Sequence, residues 1–170
     1  ASMRRGSNKE KINSLISKFR EKVPGIAIRS TVIVGFPGET KENFDELCNW
    51  IKEIKFDRLG CFKYSHEENT YAFNLNDDVP EKEKNRRLDK LMKIQANISY
   101  DKNKLKIGKK FKVCIDRSEG NYYIGRTEHD SPDVDNNVLL EKRKGYLRLG
   151  SFVQVKITDA FTYDLMAELV

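Results

Sequence analysis

The 170 residues include only three cysteines, four prolines and one tryptophan. No apolar run approaches the roughly 20 residues that a membrane-spanning helix needs, and the opening residues lack the apolar core of a signal peptide. These absences exclude a membrane-spanning protein and lead to the expectation of a soluble, cytoplasmic monomer. Cys48, Cys61 and Cys114 stand 13 and 53 positions apart, too sparse for a disulfide framework or a C-x-x-C zinc site. They read as reduced thiols, which by default are buried. His66 and His129 are lone loop histidines without a partner at metal-ligand spacing. Phosphate-binding loops are missing too: there is neither a Gly-Lys-Ser/Thr ending nor a Gly-x-Gly-x-x-Gly. A calcium loop counted from Asp130 fails because Pro132 and Val134 fall at ligand positions and Asp135 replaces the turn glycine.

What is present divides into two patterns. Ser7-Asn8-Lys9-Glu10 has the form of a capping box. Ile12, Leu15, Ile16, Phe19 and Val23 follow at helical spacing until Pro24-Gly25. The six residues before this helix lead into it so abruptly that the chain reads as part of a longer protein. Residues 26–36 are rich in β-branched and apolar side chains, the pattern of a strand buried on both faces of a parallel sheet. Gly35-Phe36-Pro37-Gly38-Glu39-Thr40 turns into a helix over 40–55 carrying Phe44, Leu47, Cys48, Ile51 and Ile54 on one face. A strand over 57–64 comes next. This α-β-α-β order predicts part of a parallel α/β sheet or open barrel over residues 1–80.

A long basic helix over 81–106 follows, giving a linking segment over 81–107. From residue 108 the period shortens to five strands: 111–116, 122–127, 138–141, 152–157 and 161–169. Five short strands in about 60 residues predict a small closed barrel of the oligonucleotide-binding kind over 108–170. The fold class is therefore α/β followed by all-β. Most of the barrel's aromatics, Phe111, Tyr122, Tyr123, Tyr146, Phe152, Phe161 and Tyr163, are expected in its core.

Charge is split between the two halves. The chain carries +6 overall, with ten Lys plus Arg and ten Asp plus Glu in residues 108–170, so residues 1–107 carry all of the excess. A module that clamps RNA by its phosphates should be basic, and the barrel by composition is not. The stretch Glu128 to Asp135 places four acids in eight residues, either a solvated loop or an attraction for a basic protein through Asp130, Asp133 and Asp135. The segment from Lys82 to Lys110 holds eleven Lys or Arg, either a face for RNA or the wet side of an amphipathic helix.

Longer strings carry a resemblance. Arg29-Ser30-Thr31-Val32-Ile33-Val34-Gly35-Phe36-Pro37-Gly38-Glu39-Thr40, then Gly60-Cys61-Phe62-Lys63-Tyr64-Ser65, resemble the fifth and sixth strands of the radical-SAM methylthiotransferases. Gly125-Arg126-Thr127, Asp130-Ser131-Pro132-Asp133-Val134-Asp135-Asn136 and Tyr163-Asp164-Leu165 resemble the TRAM domain that closes those proteins. The opening Arg29-Ser30-Thr31, the sixth strand and the acidic barrel loop are similar to the RimO-type branch. That branch methylthiolates the β-carbon of an aspartate in ribosomal small-subunit protein twelve. The alternatives are the branch that modifies tRNA adenosine and a stand-alone RNA-binding TRAM module.

The resemblance implies S-adenosylmethionine and two [4Fe–4S] clusters in the whole enzyme, each cluster on three cysteines. The three cysteines here do not form such a triad, so neither cluster is expected in this chain and the chain alone should be inactive. The resemblance also implies that Ile33 and Gly35, with Phe62 on the neighbouring strand, wall the S-adenosylmethionine pocket. Glu39 stands one position later than the acid of the family pattern. Arg29, polar in an apolar strand, is expected either to contact a substrate or cofactor carboxylate or to form an internal ion pair. Substrate recognition is assigned to the barrel, with ribosomal small-subunit protein twelve as the partner and tRNA as the alternative.

Overall fold

The computed structural model describes Gly6 and residues 8–170, which separate into two compact units meeting at Gln95 and Ala96. The long helix that the sequence sets apart as a linker is shared between them.

The first unit begins with α1, Lys9–Lys22. Ser7 of the expected capping box lies outside the described residues, as do residues 1–5. The cap is Asn8, whose side chain accepts a hydrogen bond from the Lys11 amide. Strand β1 (Arg29–Val34) pairs in parallel with β2 (Arg58–Lys63), and α2 (Lys41–Ile54) crosses between them. Thr40 and Asn43 form a reciprocal capping box at the start of α2. One face of the two-stranded sheet is covered. Val34 and Leu59 are buried, as are Phe44, Cys48, Ile51 and Ile54 along α2.

The other face is open, which corrects the expectation of a strand buried on both faces. The first four residues of β1 alternate, Arg29 and Thr31 exposed and Ser30 and Val32 half-buried, before the half-buried Ile33 and the fully buried Val34. The β-branched run reports strand propensity, and only neighbouring strands could bury its second face.

Helix α3 spans Glu81–Lys104. Its buried stripe is Lys84, Arg87, Leu91, Gln95, Ile98, Ser99 and Asn103, at helical spacing but mostly polar. In the first unit Gln95 donates to the Phe56 carbonyl. Four of the eight cations of α3 pair with carboxylates: Lys84 with Asp77, Arg86 with Glu83, Arg87 with Glu39 and Glu83, and Lys90 with Asp45.

The second unit holds the rest of α3 and a closed five-stranded barrel. Its strands are β3 (Lys110–Glu119), β4 (Tyr122–Thr127), β5 (Val138–Glu141), β6 (Phe152–Ala160) and β7 (Leu165–Leu169), in the order β3-β4-β5-β7-β6. Closure makes β5 and β7 parallel neighbours in an otherwise antiparallel sheet. Val113, Ile115, Tyr123, Val138, Leu140, Val155, Ile157, Leu165 and Ala167 fill the interior. The last two strands differ from the sequence reading. Strand β6 continues to Ala160, and residues 161–164 make the turn, where the Phe161 amide bonds the Asp164 carbonyl.

The aromatic expectation is also corrected. Only Tyr123 is buried, with Phe111 packed against the core, while Tyr146, Phe152, Phe161 and Tyr163 are exposed. A barrel this narrow fills with β-branched residues and leucine, and bulky rings are left outside. Buried Asn103 ties the end of α3 to the barrel. Its amide nitrogen donates to the Phe161 and Thr162 carbonyls, and its oxygen accepts from the buried Asn136.

Candidate functional site

Strand pairing places Ile33 directly opposite Phe62, Thr31 opposite Gly60 and Arg29 opposite Arg58. Opposed residues share a face, so Arg29, Ile33 and Phe62 all lie on the open side of the sheet. Phe62 is 63% exposed and Ile33 half-buried. Arg29 stands at the first residue of β1, about 20 Å along the strand from Gly35 at 3.3 Å per residue. It is exposed, so burial imposes no need for a counter-charge. The structure thus joins Ile33 and Phe62 as an apolar pair and leaves Arg29 at the far end.

Gly35 sits just beyond β1, where the chain turns with φ +73°. A Cβ there would lie 2.4 Å from Cγ of Lys84, so both the dihedral and the packing demand glycine. The amide of Gly35 donates to Oε1 of Glu39 at 3.1 Å. That carboxylate is bound in turn by the guanidinium of Arg87, which also donates to the Glu39 carbonyl at 2.9 Å. The displacement of Glu39 from the family pattern has this meaning here: it folds back on its own loop and docks on α3. Gly38 is held likewise by Asp78 at 2.8 Å.

Lys84 and Arg87, 3% and 5% exposed, are buried cations, each paired with a carboxylate. The Lys84 ammonium meets Asp77 at 2.7 Å and lies 5.1 Å from the centre of the Tyr64 ring. Tyr64 donates to the Ala72 carbonyl and contacts Nδ1 of His66, whose ring lies against Phe73. Arg86 and Arg87 hydrogen-bond Glu83 and hold its carboxyl down at about 2. The loop at the carboxyl ends of the strands is therefore preset by charge pairs before any ligand arrives. Sequence reading missed Lys84, Arg87 and Asp77. The available signal was two cations at i and i+3 in register with Leu91 on the apolar stripe of α3.

The cysteines do not converge. Cys48 is buried on α2, Cys61 is half-buried on β2 and Cys114 half-buried on β3 in the other unit. Burial raises the Cys48 thiol and pushes Cys61 up to about 12. Among the described residues no three His, Cys, Asp or Glu side chains come together as metal ligands. The residues of this chain do not fit an iron–sulfur cluster.

In the barrel the acidic loop is mostly turned to its own support. Asp130, 7% exposed, accepts from the Thr127 hydroxyl at 2.6 Å. Asp135 accepts from the Ser131 amide at 2.8 Å. Asp133 alone of the three points to solvent, at φ +59° and 3.7 Å from Arg117. The loop's outward charge is thus Glu128 and Asp133 rather than the full acidic run.

Residues 107–170 match the TRAM domain family. Over 98% of its length the chain is 56% identical to the ribosomal protein uS12 methylthiotransferase RimO of Christiangramia forsetii. It is 52% identical to proteins of the same name from Cytophaga hutchinsonii, over 99% of the chain, and Flavobacterium johnsoniae, over 98%. The chain spans 37%, 38% and 38% of the lengths of these three relatives.

Proposed function

Because the chain belongs to the family of ribosomal protein uS12 methylthiotransferases, we propose that it contributes two surfaces to such an enzyme. One is a wall of the S-adenosylmethionine pocket and the other is a substrate-recognising TRAM barrel. The enzyme would methylthiolate the β-carbon of an aspartate in ribosomal small-subunit protein twelve, in the cytoplasm.

The observation that carries the first part is the apolar pair Ile33 and Phe62 on an open sheet face, next to the preset turn at Gly35. A flat, exposed hydrophobic pair flanked by a close backbone approach suits a purine ring. Gly60 keeps the neighbouring position low, with Thr31 beside it. S-adenosylmethionine, when bound, supplies the methyl group and, with a cluster held elsewhere, the radical chemistry. The residues here would orient it: Ile33 and Phe62 against the adenine, and the Gly35 backbone at the pocket's rim. The chain by itself would not turn over, since its cysteines do not fit a cluster.

The second part rests on Glu128 and Asp133, the outward acids of the barrel loop, facing a basic protein. The relatives' names favour the ribosomal protein over tRNA as substrate.

Saturation-transfer NMR of S-adenosylmethionine with the chain tests the wall. Transfer to the adenine protons that is lost in Phe62→Ala and kept in Arg29→Gln supports it. Transfer unaffected by Phe62→Ala, or none at all, rejects it. Binding of the chain to purified ribosomal protein twelve, weakened by Glu128→Gln with Asp133→Asn, tests the barrel's part.

A further inference from the structure

The turn after β1 is closed on itself. The Glu39 amide donates to the Phe36 carbonyl at 2.8 Å, and the Gly35 amide donates to the Glu39 carboxylate at 3.1 Å. Pro37 has no amide proton, and the Gly38 amide donates to Asp78 at 2.8 Å. The amides of Gly35, Gly38 and Glu39 are thus all fixed while Gly35 stays at φ +73°. The side chain that closes this ring is itself gripped from α3, where Arg87 donates to both the carboxylate and the carbonyl of Glu39.

Stability alone does not account for this pair. The Arg87 and Glu39 side chains are 7% and 12% exposed. Burying both charges costs free energy that their attraction returns only in part, so an apolar pair of similar volume would hold the fold about as well. Arg87 also has a second carboxylate in Glu83 and lies 5.5 Å from the centre of the Phe44 ring on α2, so it keeps its anchors without Glu39. Apolar packing would not supply direction. The planar fork of the guanidinium holds two acceptors of Glu39 at once, and so keeps Oε1 where the Gly35 amide meets it.

We propose that Arg87 is a positioning residue for S-adenosylmethionine. It acts through Glu39: the guanidinium fixes the carboxylate, the carboxylate fixes the Gly35 amide, and the turn stands formed beside Ile33 and Phe62 before the cofactor arrives. Without that chain of contacts the cofactor would have to order the turn on binding, and the ordering would be subtracted from its affinity. Arg87 is too deeply buried to touch the cofactor itself. The inference rests on the reading of Ile33, Phe62 and Gly35 as a wall of the cofactor pocket.

Amide NMR spectra of the isotope-labelled 170-residue chain test it, first without ligand and then in a titration with S-adenosylmethionine. Without ligand the Gly35 amide proton should exchange roughly tenfold faster in Arg87→Met than in the parent. Glu39→Gln, which keeps an acceptor for that amide, should stay within about threefold of the parent. In the titration Arg87→Met should weaken binding roughly tenfold in the parent background and less than about threefold in the Glu39→Gln background, because the arginine acts through that carboxylate. Arg87→Lys, the milder variant should Arg87→Met not fold, should lose part of the affinity and part of the Gly35 protection. Ile51→Ala destabilises the same unit from the core face of α2 and should leave the affinity within about twofold of the parent, with Ile51→Val in its place if it does not fold. An unchanged Gly35 exchange rate, equal losses from Arg87→Met in the two backgrounds, or a matching loss in the Ile51 variant would each overturn the proposal. A parent chain that binds no S-adenosylmethionine rejects the cofactor wall instead, and the Gly35 exchange rates then decide by themselves whether Arg87 fixes the turn.

Discussion

Arg87 and Glu39, 48 residues apart in sequence, form a two-point contact in which the guanidinium binds both the carboxylate and the backbone carbonyl of the glutamate. Glu39 in turn holds the Gly35 amide. One side chain of α3 therefore sets the loop at the carboxyl end of β1.

Removing Arg87 should leave a nearly buried carboxylate without its counter-charge. Arg87→Ala is expected to destabilise the first unit by about 3–5 kcal/mol, read by urea denaturation. Arg87→Lys should recover only part of the loss, since an ammonium cannot span both acceptors. Equal stability of the alanine variant and the parent would remove this pair from the account of the loop.

Gly35→Ala should cost stability twice, through the left-handed dihedral and through contact with Lys84. The dihedral alone is worth about 1 kcal/mol. In a Lys84→Ala background the contact part disappears, so the double-mutant cycle should show a favourable coupling of about 1 kcal/mol or more. Strict additivity would mean that Lys84 moves aside freely.

The Glu83 carboxyl is held at about 2 by hydrogen bonds from Arg86 and Arg87. A depressed carboxyl binds fewer protons in the folded chain than in the unfolded one, so its contribution is fully present above about pH 4.5 and declines toward pH 2. The stability difference between the parent and Glu83→Gln should therefore shrink across that window. Chemical denaturation at pH 6, 4 and 2.5 measures it, and a difference constant with pH contradicts it.

The three acids of the barrel loop should separate. Asp130→Ala removes the acceptor of the Thr127 hydroxyl inside the fold and is expected to cost about 1–3 kcal/mol. Asp133→Asn lies in solvent and should stay within about 0.5 kcal/mol of the parent. Thermal melts of the two variants decide this, and matched losses would mean that the loop acts as one charged surface.

How far the fold was legible follows from which interactions are local. The three helices, the strand–helix–strand unit and the five-strand barrel were readable because apolar period and turn residues act over a few neighbours. Thr40 as a helix cap was readable for the same reason. The strand β7 boundary was not, because Phe161, Thr162 and Tyr163 are β-prone but are drawn into a turn in which the Phe161 amide bonds the Asp164 carbonyl. The aromatics of the barrel were misplaced because alternation alone does not say which side of a strand faces in until the partner strand sets the register.

By itself the sequence determined the two-part architecture, the resemblance to methylthiotransferases and TRAM domains, and the lack of a closely spaced cysteine triad. These depend on composition, period and motif order. The tertiary structure alone decided that Ile33 and Phe62 share an open face while Arg29 stands apart, and that Glu39 is locked by Arg87. It also decided that a barrel neutral by count turns Lys110, Lys112, Lys156 and Phe152 outward on β3 and β6. Each of these depends on pairing between residues distant in the chain, and charge counted along a sequence carries no information about which acids are already spent on neighbours.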